Sequence, residues 1–165
     1  MDNQKKRKWK IVLFLLIAVC AVGAFIFYKI STIHKMEKGL KESQQRFSNY
    51  NLYGNDGEYD RLNTNYKYAV HHQYVDDVEK AKKEMHQFEK MILAENKQNL
   101  KEYEKKLESM DTSKAKKDQL QEITDYKKKM KACIKKKQFK RADQIGKQWE
   151  KLIKSIQKKK KKHKH

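Results

Sequence analysis

The chain reads as an all-α protein with one amino-terminal transmembrane helix, an elongated helical bundle or coiled coil, and a disordered basic tail. Three observations predict this class. Residues 11–28 are eighteen consecutive uncharged, mostly apolar residues directly behind a basic run. The rest of the chain repeats apolar residues at steps of three and four, the spacing of a helix face. Proline is absent and glycine occurs five times in 165 residues, so few positions interrupt long helices.

At a rise of about 1.5 Å per residue, eighteen residues reach about 27 Å, near the hydrocarbon thickness of a bilayer. Trp9 and Tyr28 bracket the stretch, where amphipathic rings favour the two membrane interfaces. A cleaved signal peptide shares the basic start, and Val22-Gly23-Ala24 offers a small-residue site. Yet Phe25, Ile26, Phe27 and Tyr28 continue past that cut, longer than the about 7 to 15 apolar residues of a signal peptide. A lipoprotein reading is weaker still, with Val19 just before Cys20 and apolar sequence after it.

Orientation follows from flanking charge. Lys5, Lys6, Arg7, Lys8 and Lys10 precede the span, against Lys29, Lys35 and Lys38 after it. Basic residues are in excess on the cytoplasmic side, so the amino terminus is expected in the cytoplasm and the body outside the plasma membrane. The reverse topology would put a basic region beside nucleic acid and make the protein a membrane tether for it. Only Cys20 and Cys133 occur, so no disulfide forms within the body. Cys133 then serves as the natural probe of which side the body occupies.

The chain divides into a basic cytoplasmic amino terminus (1–10), the transmembrane helix (11–28), a membrane-proximal helical or coiled-coil region (29–110), a basic helical hairpin (111–157) and a disordered Lys/His tail (158–165). Leu, Ile, Val and Phe make up 22 of the 137 residues beyond the span, so the helices are expected to share a thin seam. No internal repeat is convincing.

Ile30, Ile33, Met36, Leu40 and Phe47 carry the membrane helix on to about Ser48. Turn formers then crowd residues 49–57, and Asn55 with Glu58 three later resembles a capping box. Leu62, Tyr66, Val70, Tyr74 and Val78 follow at steps of four. The stripe continues through Ala81, Met85, Phe88 and Ile92 to Leu100, Tyr103, Leu107 and Met110, with polar Asn96 inside an eleven-residue step that would locally unwind a coiled coil. Whether this is one helix or two is open, since Asp76 and Glu79 resemble a second capping box. Length argues for a break or an upward course. An unbroken helix over 58–110 would span about 80 Å and, folded back on the roughly 30 Å of helix above the span, would enter the lipid.

Asp111-Thr112-Ser113 reads as the next helix start. Leu120, Ile123, Tyr126, Met130, Cys133 and Ile134 share one face, and Phe139, Ala142, Ile145, Trp149, Leu152, Ile153 and Ile156 form another after residues 135–137. Two short amphipathic helices joined tightly predict a helical hairpin. The 78–110 stripe must be covered by helices 114–137 and 139–157 in an intramolecular three-helix bundle, or by a second copy in a homo-oligomer; the first is preferred.

Charge is uneven. Residues 29–110 carry 15 basic and 14 acidic groups, net +1, whereas residues 111–165 carry 21 and 6, net +15 of the chain's +20. A field that concentrated attracts polyanions: anionic lipid, phosphate-rich cell-wall polymer, or nucleic acid only in the reverse topology. The candidate polyanion-binding residues are Lys127, Lys128, Lys129, Lys135, Lys136, Lys137, Lys158, Lys159, Lys160, Lys161, Lys162 and Lys164.

Other constellations are weak. His72 and Asp76, four apart, would share a helix face, but no third ligand accompanies them and zinc sites use three or four. His163 and His165 sit among lysines that disfavour a cation. Tyr50, Tyr53, Tyr59, Tyr66, Tyr68 and Tyr74 crowd 25 residues and are read as amphipathic rings filling a thin core, in preference to an exposed surface for a glycan or partner. Asp76 and Asp77 read as solvated surface. No glycine-rich phosphate loop, Gly-x-Ser-x-Gly or His-Glu-x-x-His is present, and no cofactor, metal or enzymatic activity is expected. The layout resembles small bacterial envelope proteins with one amino-terminal anchor and an exported helical stalk, and a protein partner is expected to bind through the stalk of this chain. Low proline with abundant Lys, Asn and Gln fits an AT-rich bacterial genome.

Overall fold

The computed structural model describes residues 3–158, with side chains from Trp9 onward. Five helices follow one another: α1 (Asn3–Phe47), α2 (Asp56–His72), α3 (Val75–Glu108), α4 (Lys117–Lys135) and α5 (Phe139–Lys158). They form two storeys joined by α3, whose 34 residues extend about 51 Å. The lower storey packs α1 and α2 on the first half of α3; the upper storey packs α4 and α5 on its second half.

α1 is continuous, and its apolar residues from Trp9 to Ile30 are exposed. Near residue 33 it becomes a packing helix. Met36 joins Tyr66, Ala69, Val70, Val78 and Ala81 in a small core. Gly39 lets α2 approach, since a Cβ there would lie 2.9 Å from the Tyr66 hydroxyl. The Gln44 amide donates to Asn63 Oδ1 at 2.9 Å. These pairings run antiparallel, so α2 descends from the top of α1 back towards the span.

Between them, Tyr53 and Gly54 both adopt positive φ, 50° and 90°, and turn the chain. The Asn55–Glu58 capping box does not form. Asn55 has φ −87° and ψ 18°, outside the extended region a cap residue needs to reach the helix N–H groups. Its amide donates to Leu52 O at 2.8 Å and to Glu95 at 3.3 Å, and Glu58 pairs with Arg61 at 2.7 Å.

The region 58–110 is two helices. The break falls at Gln73, φ 58°, ahead of the Asp76–Glu79 box proposed from sequence; Tyr74 is the residue before α3 and Asp76 lies in its first turn. Gln73 N–H donates to Val70 O and Tyr74 N–H to Ala69 O, both 3.1 Å, the paired bonds of a Schellman ending. The same motif closes α4, where Lys137 (φ 57°) donates to Ile134 O at 3.0 Å and Gln138 to Cys133 O at 2.9 Å.

The 78–110 stripe is not covered by the two carboxyl-terminal helices alone. Its lower half meets α1 and α2: the Phe47 and Phe88 rings stack at 5.7 Å, and Arg46 Nε donates to Glu89 at 2.9 Å. Its upper half meets α5, with Tyr103 Oη donating to Glu150 at 2.7 Å and a Cβ on Gly146 falling 2.6 Å from the Tyr103 ring. Half the stripe is covered by chain that precedes it, because the break at Gln73 brings α2 down beside α1 before α3 climbs past both.

α4 starts later than Asp111-Thr112-Ser113. Asp111 Oδ1 accepts from the Ser113 N–H at 2.9 Å, closing a turn, and α4 begins at Lys117 after Lys116, whose N–H donates to Gln119 Oε1 at 3.0 Å. α4 and α5 pack on each other, with Met130 and Cys133 facing Phe139, Ala142, Trp149 and Ile153 in one buried cluster.

Candidate functional site

Among the described residues the candidate functional elements lie along the length of the molecule. At one end, the stretch from Trp9 onward is long and apolar enough to cross a membrane, with mean hydropathy 2.9 in its most apolar window. Trp9 and Tyr28 are each 69% exposed; nineteen residues apart on one helix, they stand about 28 Å from each other. Lys5, Lys6, Arg7 and Lys8 fall in the first turns of α1, and Lys10 is exposed.

Where the storeys meet, Glu89 is 5% exposed and its Oε1 accepts from both Arg46 Nε and Tyr50 Oη at 2.9 Å. Burial, then the bond to Glu89, pushes the Tyr50 hydroxyl well above the ordinary tyrosine range. Seven residues on, Asn96 is fully buried and grips the main chain of the α1–α2 loop. Its Oδ1 accepts from Asn51 N–H at 3.0 Å, and its Nδ2 donates to Asn51 O and to Ile92 O at 2.8 Å each. Lys140 N–H donates to Asn49 O at 3.1 Å, so the same loop also receives the start of α5. The sequence marked Asn96 as a polar insertion in the stripe but gave it no partner, and Glu89 was passed over. A polar residue four positions after a buried apolar one, as Glu89 follows Met85 and Asn96 follows Ile92, was the available signal.

A depression of about 400 Å³ beside this junction is lined by Glu42, Ser43, Arg46, Lys82, Lys83 and His86 among others. Arg46 is committed to Glu89 and Lys82 reaches Glu79 at 3.7 Å. The charges are mixed and no nucleophile is paired with a base, so the depression has no evident chemistry.

His72 and Asp76 do not share a helix face, because the break at Gln73 lies between them. His72 instead packs on Tyr68 at 4.2 Å and on Tyr74 at 5.6 Å. Among the described residues no group of three or more His, Cys, Asp or Glu could hold a metal ion. The tyrosine cluster divides: Tyr50 and Tyr66 are core, Tyr59 is half-buried, and Tyr53, Tyr68 and Tyr74 are exposed.

The upper storey carries the charge. α4 and α5 with their connection, residues 117–158, hold 14 basic and 5 acidic residues. Lys127 is drawn into an ion pair with Glu108, which holds that carboxyl below its usual range, and Lys131 lies 3.2 Å from Glu104. Lys128, Lys129, Lys135, Lys136, Lys137 and Lys158 are exposed, and among the described residues none of them has an ion-pair partner. Residues 135–137 close α4 just before α5, whose Lys140 N–H reaches Asn49 O, while Lys158 ends α5 near Asp111, whose carbonyl accepts from Gln157 at 3.2 Å. Lys159, Lys160, Lys161, Lys162 and Lys164, and the tail expected to be disordered, lie outside the described residues.

Cys133 is 7% exposed and packs in the hairpin core, so it cannot report topology as its sequence position suggested. No protein-family model, curated protein or solved structure matches the chain.

Proposed function

We propose that this is a single-pass, non-enzymatic interaction protein of a bacterial cell envelope. Its amino terminus is cytoplasmic, its body exported, and its basic upper storey contacts an anionic wall polymer. The observation that carries the reading is the separation of charge from anchor: residues 111–165 hold net +15, and α5 ends at the opposite end of the rod from the span. From the foot of α3 to Glu108 is about 50 Å, several times the Debye length of about 8 Å at physiological salt. Lys164 is six residues past Lys158, a reach of at most about 22 Å. That distance favours a polymer beyond the membrane over head groups of the anchoring bilayer. The lower storey supplies a stalk, and the absence of a paired nucleophile and base in the depression supports a binding role.

The test is topology in intact cells. In a Cys20→Ser, Cys133→Ser background, Gln148→Cys on the exposed face of α5 should react with a membrane-impermeant maleimide. Reaction only after permeabilisation would overturn export and bring nucleic acid forward as the polyanion.

A further inference from the structure

The turn between α2 and α3 lies at the level of the membrane surface, and we infer that it is a second membrane contact, an aromatic foot that seats on the lipid interface beside the span. The inference rests on α1 crossing a bilayer.

Two independent registers fix the height of this turn. Along the antiparallel pair, Gln44 meets Asn63 and Gly39 meets Tyr66, which extrapolates to residues 73–74 beside residues 32–33. Along the parallel pair, Arg46 meets Glu89 and Phe47 meets Phe88, which brings Val75 beside residues 32–34. Burial agrees: Ser31, Thr32 and Ile33 are the first half-buried residues of α1 after an exposed run from Trp9 to Ile30. Ile33 is five residues past Tyr28, about 7 to 8 Å along the helix. With Tyr28 at the interface, the turn falls within the head-group layer, which adds about 5 to 8 Å to each side of the hydrocarbon core.

The side chains there suit that layer. At the turn itself Tyr74 and Val75 are each 51% exposed; Tyr68, 59% exposed, stands about five residues higher on α2 and backs the foot through His72. The rings are already ordered, Tyr68 and Tyr74 both packing on His72, with His71 edge-on to it at 5.0 Å. Tyrosine favours the interface because its ring tolerates lipid and its hydroxyl stays wet. Asp76 and Asp77 in the first turn of α3 keep the foot from sinking into hydrocarbon. The upper storey, with its exposed surface of lysines, offers no such aromatic group. Span and foot together give two points of attachment, which sets the tilt of the rod on the bilayer.

The test uses the full chain in phosphatidylcholine vesicles, with Cys20→Ser and Cys133→Ser and one NBD-labelled cysteine at a time. The label at Tyr74→Cys should be quenched by shallow nitroxide lipids at least threefold more than at Gln148→Cys. Leu16→Cys in the span should be quenched by deep nitroxides. Adding Val75→Asp should cut the quenching at position 74 by half or more, with helix content unchanged by circular dichroism. Quenching at 16 without quenching at 74 overturns the foot and leaves the span standing. No quenching at 16 overturns both. A blue-shifted but unquenched label at 74 means that a second protein copy covers the foot, and overturns it also.

Discussion

Replacing Asn96 with alanine distinguishes a polar residue tolerated on a helical stripe from one that ties the storeys together. On an ordinary solvated or seam position, alanine is the better helix former by up to about 0.7 kcal/mol, and stability would hold or rise. In this structure Asn96 is fully buried and serves both the N–H and the C=O of Asn51. Alanine would leave both without a partner, each orphaned group costing about 1–3 kcal/mol. Asn51 is half-buried, so water can reach part of it and the lower end of that range applies. Subtracting the helix-propensity gain leaves a net loss of about 1–2 kcal/mol. The Ile92 carbonyl keeps a helical partner and adds little. The assay is urea unfolding of the full chain in non-ionic detergent, followed by Trp149, 1% exposed, with Trp9→Phe removing the other of the two tryptophans. Hydrogen exchange at the Asn51 amide should accelerate at least tenfold. Asn96→Asp should be as damaging or worse, because it keeps the acceptor, loses the donor and buries a charge. A midpoint for Asn96→Ala within about 0.5 kcal/mol of the parent, with Asn51 exchange unchanged, would refute the assigned role.

Three further outcomes follow from the same geometry. Gly146→Ala should lose about 1–3 kcal/mol by overpacking, because its Cβ would fall 2.6 Å from a Tyr103 ring held by Glu150; adding Tyr103→Leu should recover part of the loss in the same denaturation assay. Tyr50 and Tyr103 both titrate above their ordinary value through burial and then through donation to Glu89 and Glu150. Their stabilising effect is therefore complete below about pH 10, the unfolded value, and is lost as pH rises through the higher folded values. Tyr50→Phe with Tyr103→Phe should flatten the fall in urea midpoint between pH 10 and 11, and an unchanged slope would show that other groups cause it. Binding of polyphosphate should weaken steeply with salt through counterion release, and deleting residues 158–165 should reduce both affinity and salt slope with helix content preserved; equal binding by both forms in a filter or anisotropy titration would limit the role of the tail lysines to solubility.

Where the sequence succeeded, one-dimensional spacing was enough. The apolar run of residues 11–28 needs no tertiary partner to be recognised, because length and composition alone match a bilayer. The faces of α3 and α5 were legible because burial selects one side of a 3.6-residue period: Phe139, Ala142, Trp149, Ile153 and Ile156 are all buried as their spacing predicts. The concentration of lysine beyond residue 111 is likewise a property of the chain itself.

What tertiary structure alone decided is how the stripes are partnered and where the chain reverses. Helix ends are usually marked by glycine, but Gln73 and Lys137 take the left-handed conformation here. A side chain in that region costs about 1–2 kcal/mol and is held by the packing on both sides, so local propensity gave no sign of it. The capping boxes suggested for Asn55 and Asp76 matched in residue type and failed in placement: Asn55 lacks the extended backbone of a cap, and Asp76 already lies inside α3. The functions of Glu89 and Asn96 depend on Arg46, Tyr50 and Asn51, about 40 to 45 positions away in sequence. A periodic pattern records that a face is buried; it does not record against what. That second fact comes from the break at Gln73, which folds α2 down to the level of Ile33 and sends α3, with the basic hairpin on its upper half, away from the span.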